Sequence, residues 1–210
     1  MDSPTACAGV IGDVATLREG YPTPSERAVR KTLCRLDHHM RKFISLSPFL
    51  CLGTSSDEGA DVTPRGDAPG WVHVLDDTTL LIPDWPGNNR LDSLSNIVAN
   101  PHVGILMFVP GMDETLRVNG EAEITTAPEI VERWTVNGKH PRSVLKVSVR
   151  EAFFHCAKAV IRSKLWKDDY KIERSEMPPY AEILKEETRV AQTVEEIAAQ
   201  VADSYANKLY

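Results

Sequence analysis

The sequence lacks the features that mark several classes of protein. No apolar run approaches the roughly 18 residues of a membrane span, and the first twenty residues lack the regions of a signal peptide. Basic residues number 24 against 30 acidic ones, and a formal net charge of −6 argues against nucleic-acid or anionic-membrane partners. We therefore expect a cytoplasmic protein that binds neither nucleic acid nor membrane.

Cysteine is also scarce, with four residues in the chain. These four, Cys7, Cys34, Cys51 and Cys156, show neither a CxxC motif nor the cysteine–histidine spacing of a metal site. Because three of them have apolar neighbours, we expect buried free thiols in a reducing compartment. No metal site is predicted.

The 210 residues, of which 42% are hydrophobic, suffice for one domain with a proper core and appendages. Residues 1–24 are weakly patterned and are predicted to form an N-terminal arm. Residues 25–170 carry the strand-like segments, and residues 171–210 are predicted to form a helical extension.

A strong helix signal follows the arm. Thr23 can cap a helix, Pro24 suits its first position, and Glu26 completes a capping box. One apolar stripe follows at spacings of three and four residues: Val29, Leu33, Leu36, Met40 and Phe43. The pattern predicts one amphipathic helix from Thr23 to Phe43.

Short strand-like segments dominate the rest of the domain. Two hairpins are predicted over residues 47–64 and 71–83, and single strands near residues 103–109, 115–125 and 145–149. Short helices are predicted at residues 88–100 and 128–136, and residues 153–166 fit either a strand or a helix. Six or seven short strands with inserted helices argue against a parallel doubly wound sheet and for a small antiparallel barrel.

The stretch VTPRGD, residues 62–67, interrupts the strand pattern. Pro64 cannot donate to a ladder, and Gly66 leaves the backbone open to close approach. The guanidinium of Arg65 suits a phosphate, with the Thr63 hydroxyl on the same face. The stretch predicts a strand that stops pairing to form an anion site, and the alternative is an edge strand with Arg65 in a surface salt bridge.

A second candidate anion site lies in IPDWPGNNRLDSL, residues 82–94. A strand ends there, Pro86 and Gly87 break the chain, and a helix is predicted to begin at residues 88–90. Backbone N–H groups at a helix start, with Arg90 in the first turn, can bind an anion, although asparagine is also an ordinary N-cap. Together, Arg65 and Arg90 are two candidate phosphate-binding arginines beside sheet strands.

Four segments carry a resemblance to a known family: FLCLGTSSDEGADVTPRGDAPGWV, LLIPDWPGNNRLDSLSNIVANPHVGILMFVPG, ETLRVNGEAEI and FFHCAKAVIRSKLW. In order and spacing they resemble the pyridoxamine 5'-phosphate oxidase superfamily of FMN-binding split barrels, in its branch with SPRGD, GNNR and HCAKA motifs. The resemblance covers residues 25–167. It implies a mainly β, α+β domain at residues 25–170: a six-stranded antiparallel split β-barrel with peripheral helices, homodimeric, with FMN in each of two interface clefts.

The resemblance also implies which residues bind FMN. The segment along the flavin would be Val62, Thr63, Pro64, Arg65, Gly66 and Asp67, followed by Pro83 and Asp84 at the end of the next strand. Asn89 and Arg90 match the pair that holds the phosphate, with Arg65 supplying the charge that Asn89 lacks, and Thr115 matches a contact to the flavin ring. The second subunit would supply His155, Lys158 and Arg162.

One departure from the family bears on the substrate. The oxidases end with an Arg-Leu-His-Asp-Arg signature, whereas this chain has Lys-Leu-Trp-Lys-Asp at residues 164–168. The missing histidine and final arginine predict a substrate other than pyridoxamine phosphate.

The expected function is an FMN-dependent oxidoreductase that transfers hydride or electrons between a reduced donor, such as NAD(P)H, and a small-molecule acceptor. No residue stands out as a catalytic acid or base. Two alternatives stay open at this point: a non-catalytic flavin-binding or sensor protein, and a member of the same fold that binds haem or deazaflavin.

Overall fold

The computed structural model describes residues 10–210. The chain divides into two compact units, Met1–Thr32 and Leu33–Tyr210. Within the first unit, Asp13 caps helix α1 (Val14–Glu19) and Ser25 caps helix α2 (Glu26–Arg30). Residues 1–9 of the predicted N-terminal arm, including Cys7, lie outside the described residues.

The second unit contains a seven-stranded antiparallel sheet. Its strands are β1 (Phe49–Ser56), β2 (Gly59–Gly66), β3 (His73–Asp76), β4 (Thr79–Asp84), β5 (His102–Phe108), β6 (Thr115–Thr125) and β7 (Ser143–His155). Their order across the sheet is β2-β1-β5-β6-β7-β4-β3. The mainly antiparallel class with peripheral helices is confirmed, with seven strands in place of the six of the expected barrel.

Six helices accompany the sheet. They are α3 (His38–Leu46), α4 (Asp92–Ala99), α5 (Pro128–Val131), α6 (Lys158–Ser163), α7 (Tyr180–Thr188) and α8 (Val194–Asn207), with 3₁₀ turns at Asp168–Tyr170 and Arg174–Glu176. The predicted helical character of the tail is confirmed, and α7 packs against α8. Across residues 10–210, no helix combines the length and apolar character needed to cross a bilayer.

The prediction of a single helix from residue 23 to residue 43 is wrong. Instead, the first helix, α2, has Ser25 as its N-cap and ends at Arg30. The next helix, α3, begins only after a new N-cap at Asp37. Between the two helices, Leu33 exchanges two backbone hydrogen bonds with Ala152 of β7, at N–O distances of 3.0 and 2.8 Å. At Leu33, pairing with the sheet therefore stabilises the chain more than continuing the helix would.

The core lies between one face of the sheet and the helices α3 and α4. Alternate residues of the strands fill it, including Leu50, Leu52, Leu80, Ile82, Ile105, Met107, Leu116, Val118, Leu145 and Val147. Met40 and Phe43 of α3 and Ile97 of α4 cover them. On the opposite side of β4, Leu81 packs with Trp134 and Val144 in a smaller cluster, so this strand is buried on both faces.

A bulge between Asn119 and Gly120 interrupts the register of β6 against β7. A Cβ atom at Gly120 would lie 2.2 Å from the carbonyl oxygen of Ser148, so only glycine fits this close approach. Bulges bend the strand that carries them and increase its twist. The bulge thus helps the two longest strands of the sheet to curve.

The curvature brings distant strands together. Four strands, β1, β5, β6 and β7, separate β2 from β4 in the sheet. Nevertheless, Arg65 of β2 and Asp84 of β4 form an ion pair. A flat sheet would hold these side chains far apart, since neighbouring strands are about 4.8 Å apart. The curl is consistent with a split barrel.

The three cysteines within residues 10–210 are free but less buried than expected. Cys34 and Cys156 are exposed, and Cys51 is half-buried. Cys34 lies in the connection before α3, and Cys156 lies between β7 and α6, where the chain turns at the surface. The prediction of buried thiols is therefore wrong for these two.

The half-buried His73 should make the folded protein sensitive to acid. Its ring stacks on Trp134 with centroids 4.1 Å apart, and burial, reinforced by Arg133, lowers its pKa from the ordinary value. The unfolded chain then binds the proton more tightly, so stability present above about pH 6.5 is lost as the pH falls below it. We expect the free energy of unfolding in urea to drop from about pH 7.5 to about pH 5.5, and to drop less in His73→Phe.

The exposed His102 provides the control. A His102→Phe variant should lose as much stability on acidification as the unaltered protein. An equal acid loss in His73→Phe and the unaltered protein would contradict the assignment.

Candidate functional site

A cleft of about 340 Å³ lies between the edge strand β2 and the segment that joins β4 to α4. We call it the arginine cleft, because Arg65, Arg90 and Arg142 all line it. It brings together six residues of the predicted site: Thr63, Pro64, Arg65, Asp84, Asn89 and Arg90. Arg142 was not predicted.

A second pocket, of about 350 Å³, adjoins the arginine cleft and shares Pro64, Arg65, Trp85 and Pro86 with it. Its other lining residues include three of the predicted site, Gly66, Asp67 and Pro83, together with Trp71 and Tyr210. We call it the tyrosine pocket. Ten predicted residues thus lie on or beside this part of the molecule when Val62, which neighbours Thr63 on β2, is included.

Strand β2 does not stop pairing before Arg65, as the sequence had suggested. It continues to Gly66, which lies opposite Phe49, and Pro64 lies opposite Cys51 of β1. The strand tolerates Pro64 because it is the edge of the sheet, where a missing N–H costs no ladder bond. The expected shared face of Thr63 and Arg65 is confirmed, since both line the arginine cleft.

Arg65 is paired, but the pair is not a surface salt bridge. The guanidinium donates to the carboxylate of Asp84, and the two side chains are only 19% and 14% exposed. The backbone carbonyl of Asp84 also accepts a hydrogen bond from the backbone N–H of Arg142, at 3.1 Å. Asp84 therefore fixes one arginine by its side chain and a second by its backbone.

The loop before α4 has an unusual backbone. Asn89 and Leu91 have positive φ angles of 58° and 62°, and α4 begins at Asp92, later than the sequence predicted. Asparagine tolerates the left-handed region, whereas a leucine there costs about 1–2 kcal/mol. As the N-cap residue, Leu91 offers no side-chain acceptor to the first N–H groups of the helix. This arrangement leaves donors at the helix start for a ligand.

The exposed arginines surround that helix start. The Arg90 Nε atom donates to Asp92 at 2.8 Å, which raises the pKa of the guanidinium and keeps it charged. The Arg142 Nη1 atom lies 3.4 Å from the side-chain oxygen of Asn89. Three arginines face two aspartates in the cleft, so the cleft carries an excess of positive charge and can bind an anion.

Helix α4 is fixed to the sheet by partly buried polar contacts. The hydroxyl groups of Thr63 and Ser93 lie 2.9 Å apart, and the Ser93 hydroxyl donates to Asp61 at 3.0 Å. Further along the helix, the Asn96 amide donates to the Thr54 hydroxyl at 3.1 Å. These bonds hold the two walls of the cleft in a defined position.

The remaining predicted site residues lie elsewhere. Thr115 is buried opposite His155 in the β6–β7 ladder, and Lys158 and Arg162 are exposed on α6. None of these four is among the residues that line the arginine cleft or the tyrosine pocket. Lys158 and Arg162, four residues apart, lie on one face of their helix. One protomer therefore does not bring these side chains to the cleft.

Three contributors to the site were missed by the sequence analysis. Arg142 reaches the cleft because the next residue, Ser143, pairs with Asp84 in the β4–β7 ladder, a pairing that the sequence does not reveal. Trp85 borders both the arginine cleft and the tyrosine pocket, and its indole N–H is buried without a hydrogen-bond partner among the described residues. Tyr210 donates its phenol to Asp67 at 2.7 Å, which raises the pKa of the phenol.

Comparisons with known proteins place the chain near one family. The family model of pyridoxamine 5'-phosphate oxidase matches residues 36–156, which is more than half of the chain. The HupZ protein of Group A Streptococcus is 18% identical, over 57% of this chain and 93% of that one, with a TM-score of 0.47. An FMN-binding protein from Syntrophomonas wolfei is 10% identical, over 68% and 96%, with a TM-score of 0.42.

The General Stress Protein 26 from Bacillus anthracis is 15% identical, over 55% of this chain and 93% of that one, with a TM-score of 0.40. No curated protein matches the chain. Because the structural scores are all below 0.5, the family assignment depends on the family model alone.

The Arg65–Asp84 pair should behave as a buried interaction. Removing either partner leaves the other charge mostly buried and alone, so Arg65→Ala and Asp84→Ala should each lower the free energy of unfolding by about 1–3 kcal/mol. The double variant should cost clearly less than the sum of the two single changes. Urea denaturation of the four proteins measures this coupling.

The exposed Arg90–Asp92 pair is the matched control. The same cycle with Arg90→Ala and Asp92→Ala should show little coupling, because water screens both charges. Additive effects at Arg65 and Asp84 would contradict the buried-pair interpretation.

Proposed function

Because the chain belongs to the pyridoxamine 5'-phosphate oxidase family, we propose that it is an FMN-dependent oxidoreductase. The observation that carries the proposal is the arginine cleft, where an uncapped helix start and three arginines meet beside β2. An FMN phosphate is close to dianionic and needs several fixed donors of this kind. When bound, FMN supplies the hydride and electron transfer, and the protein supplies binding, orientation and shielding.

Arg90, Arg142 and the start of α4 are the proposed phosphate contacts. Arg90 and Arg142 are exposed on the cleft and bear only exposed polar contacts, so both can turn to a phosphate at little cost. Arg65 differs, since reaching a phosphate would break its buried pair with Asp84. We therefore assign Arg65 to the cleft wall and not to the primary phosphate contacts.

The segment from Val62 to Asp67, with Pro83 and Asp84, would line the ribityl chain and the ring of FMN. Support comes from its position, since it borders both the arginine cleft and the adjoining tyrosine pocket. Thr63 and Ser93 fix the strand against α4. We assign no general acid or base to the chain, and propose a reduced donor such as NAD(P)H and a small-molecule acceptor.

The sequence departure at residues 164–168 favours a substrate other than pyridoxamine phosphate. In this chain the Trp166 indole N–H donates to the carbonyl of Met112 at 2.7 Å. The position that the oxidases use for a histidine thus carries a side chain engaged in a backbone contact. This contact anchors the segment after α6 to the loop before β6.

We also propose that the protein is a homodimer in which each copy completes the cleft of the other. Cross-strand register shows that the sheet face opposite the core carries Pro64, Cys51, Leu106, Arg117 and Phe153 in one row, flanked by Phe49, Phe108 and Val62. Arg117 is the one charged member of this row, where it pairs with Glu151 and lies over the Phe153 ring. Val62 is 67% exposed and Phe49 40%. Exposed apolar residues clustered on one face around a paired charge are typical of an interaction surface.

A second copy on this face would explain the residues that lie away from the cleft. Thr115, His155 and the α6 residues Lys158 and Arg162 would then reach the cleft of the neighbouring protomer. The support is their position, since the register places Thr115 and His155 on strands that form the same sheet face.

FMN and riboflavin together test the phosphate assignment. Arg90→Ala and Arg142→Ala should each weaken FMN binding about 10- to 100-fold, the value of a charge-assisted hydrogen bond. Neither change should affect riboflavin, which lacks the phosphate. Flavin fluorescence titrations with both ligands measure the difference.

Arg30→Ala, which removes an exposed arginine of α2, is the control and should leave both affinities unchanged. Equal losses for FMN and riboflavin would show that the two arginines do not contact the phosphate. The chromophore of the purified protein, identified by mass spectrometry, and NADH or NADPH oxidation then test the activity. A Soret band would favour haem, and bound FMN without turnover would favour a flavin carrier.

The dimer is tested by mass in solution. Light scattering should give twice the 23.3 kDa of one chain for the unaltered protein. Leu106→Glu replaces an apolar residue of this row with a charge that would be buried between the two copies, and it should yield monomers with weaker FMN binding. Val98→Glu changes an equally apolar residue that is 80% exposed on α4 and should stay dimeric. A monomeric unaltered protein would exclude the shared cleft.

A further inference from the structure

The segment that follows α8 returns to the site. The Tyr210 phenol donates to the Asp67 carboxylate at 2.7 Å, and the Tyr210 ring packs edge-on against Trp85 with centroids 5.1 Å apart. The Tyr210 carbonyl accepts a hydrogen bond from the Lys139 Nζ atom at 2.9 Å. Tyr210 is thereby held against two residues that line the tyrosine pocket.

These contacts occupy groups that a ligand would use. Asp67 directly follows β2 and lines the pocket, and Trp85 lines both the pocket and the arginine cleft. The Trp85 indole N–H is nevertheless buried without an acceptor among the described residues. A buried donor left unpaired is unfavourable, so this packing does not fully satisfy the groups around it.

We propose that Tyr210, which lines the tyrosine pocket in the ligand-free protein, covers surface at the end of β2 that a planar aromatic ligand needs, so that the ligand must move Tyr210 aside in order to bind. The inference rests on the proposed function for the identity of that ligand, the ring of FMN. The contact of Tyr210 with Asp67 and Trp85 is a property of the ligand-free protein and can be measured without it.

The anchoring of Tyr210 is light enough for displacement. Helix α8 ends at Asn207, and the intervening Leu209 is 61% exposed. The Lys139 contact lies at the surface, and the phenol–carboxylate bond is the one charged contact of the Tyr210 side chain among the described residues. Ordering the segment costs backbone entropy, which offsets part of what these contacts contribute.

Displacement makes a prediction with a definite sign. If a ligand binds only when Tyr210 has left its contacts with Asp67 and Trp85, its apparent affinity is lowered. The intrinsic affinity is then multiplied by the fraction of molecules in which the pocket is open. Weakening the anchors raises that fraction and should tighten binding. A residue that forms a wall for the ligand would do the opposite.

Three variants release the anchors separately. Tyr210→Ala removes the phenol and the ring, Tyr210→Phe removes only the hydroxyl, and Lys139→Ala removes only the contact to the carbonyl. We expect FMN to bind about 3- to 30-fold more tightly to Tyr210→Ala, with smaller gains for the other two. Lys139→Ala is decisive, because Lys139 lines neither the cleft nor the pocket.

Tyr205→Ala is the matched control, since Tyr205 is 63% exposed on α8, and it should leave FMN binding unchanged. Weaker binding by Tyr210→Ala would show that Tyr210 is a wall of the pocket. Unchanged binding in all three variants would show that it blocks nothing. Either result overturns the proposal.

The ligand-free protein separates this inference from the proposed function. Hydrogen exchange of the Trp85 indole N–H, assigned with Trp85→Phe, should quicken in Tyr210→Ala and stay unchanged in Tyr205→Ala. If no protein in the series binds FMN, the proposed function fails, and the exchange rate alone decides whether Tyr210 covers Trp85. An unchanged rate then overturns the inference as well.

Discussion

The ion pair between Arg65 and Asp84 is the contact on which the geometry of the site depends. It joins an edge strand to a strand that lies beyond four others in the sheet, so it can form only because the sheet curls. The two charges are mostly buried, and each needs the other to offset the loss of water. Once the pair forms, the β4–α4 segment lies over β2, and Arg142 follows because its backbone N–H binds the carbonyl of Asp84. The pair therefore joins the two sides of the arginine cleft, and the side-chain hydrogen bonds between α4 and the sheet reinforce this arrangement.

The cleft combines rigid elements with a strained loop. Helix α4 is fixed to β1 and β2 through side-chain hydrogen bonds, and the core residue Ile97 holds its other face. The loop before the helix has a strained backbone, because Leu91 adopts a left-handed conformation that a leucine seldom occupies. Strain of this kind persists where the surrounding structure enforces it, and it is concentrated at functional sites. Here it orients Arg90 and leaves the helix start open.

Local patterns predicted most of the strands, because alternation and turn residues report on a single hairpin at a time. The first predicted hairpin, now β1 and β2, and the helical tail are examples. The same reasoning fails where a segment pairs with a distant one. Leu33 lies outside the helix predicted for it, because its backbone forms hydrogen bonds with Ala152. The residues of the site divide in the same way. The local motifs predicted Arg65 and Arg90 as neighbours of strand ends. Arg142 and Tyr210 reach the site only through contacts between segments that are far apart in the chain.

Pro64 has a consequence for how molecules of this protein meet. Unpaired N–H and C=O groups on an outermost strand invite edge-to-edge association with other chains and, in time, aggregation. Proline removes one such donor from β2, while the opposite rim, β3, spans only four residues and has an irregular register. Both rims are poor templates for an added strand. The two rims therefore disfavour open-ended, edge-to-edge association of this protein.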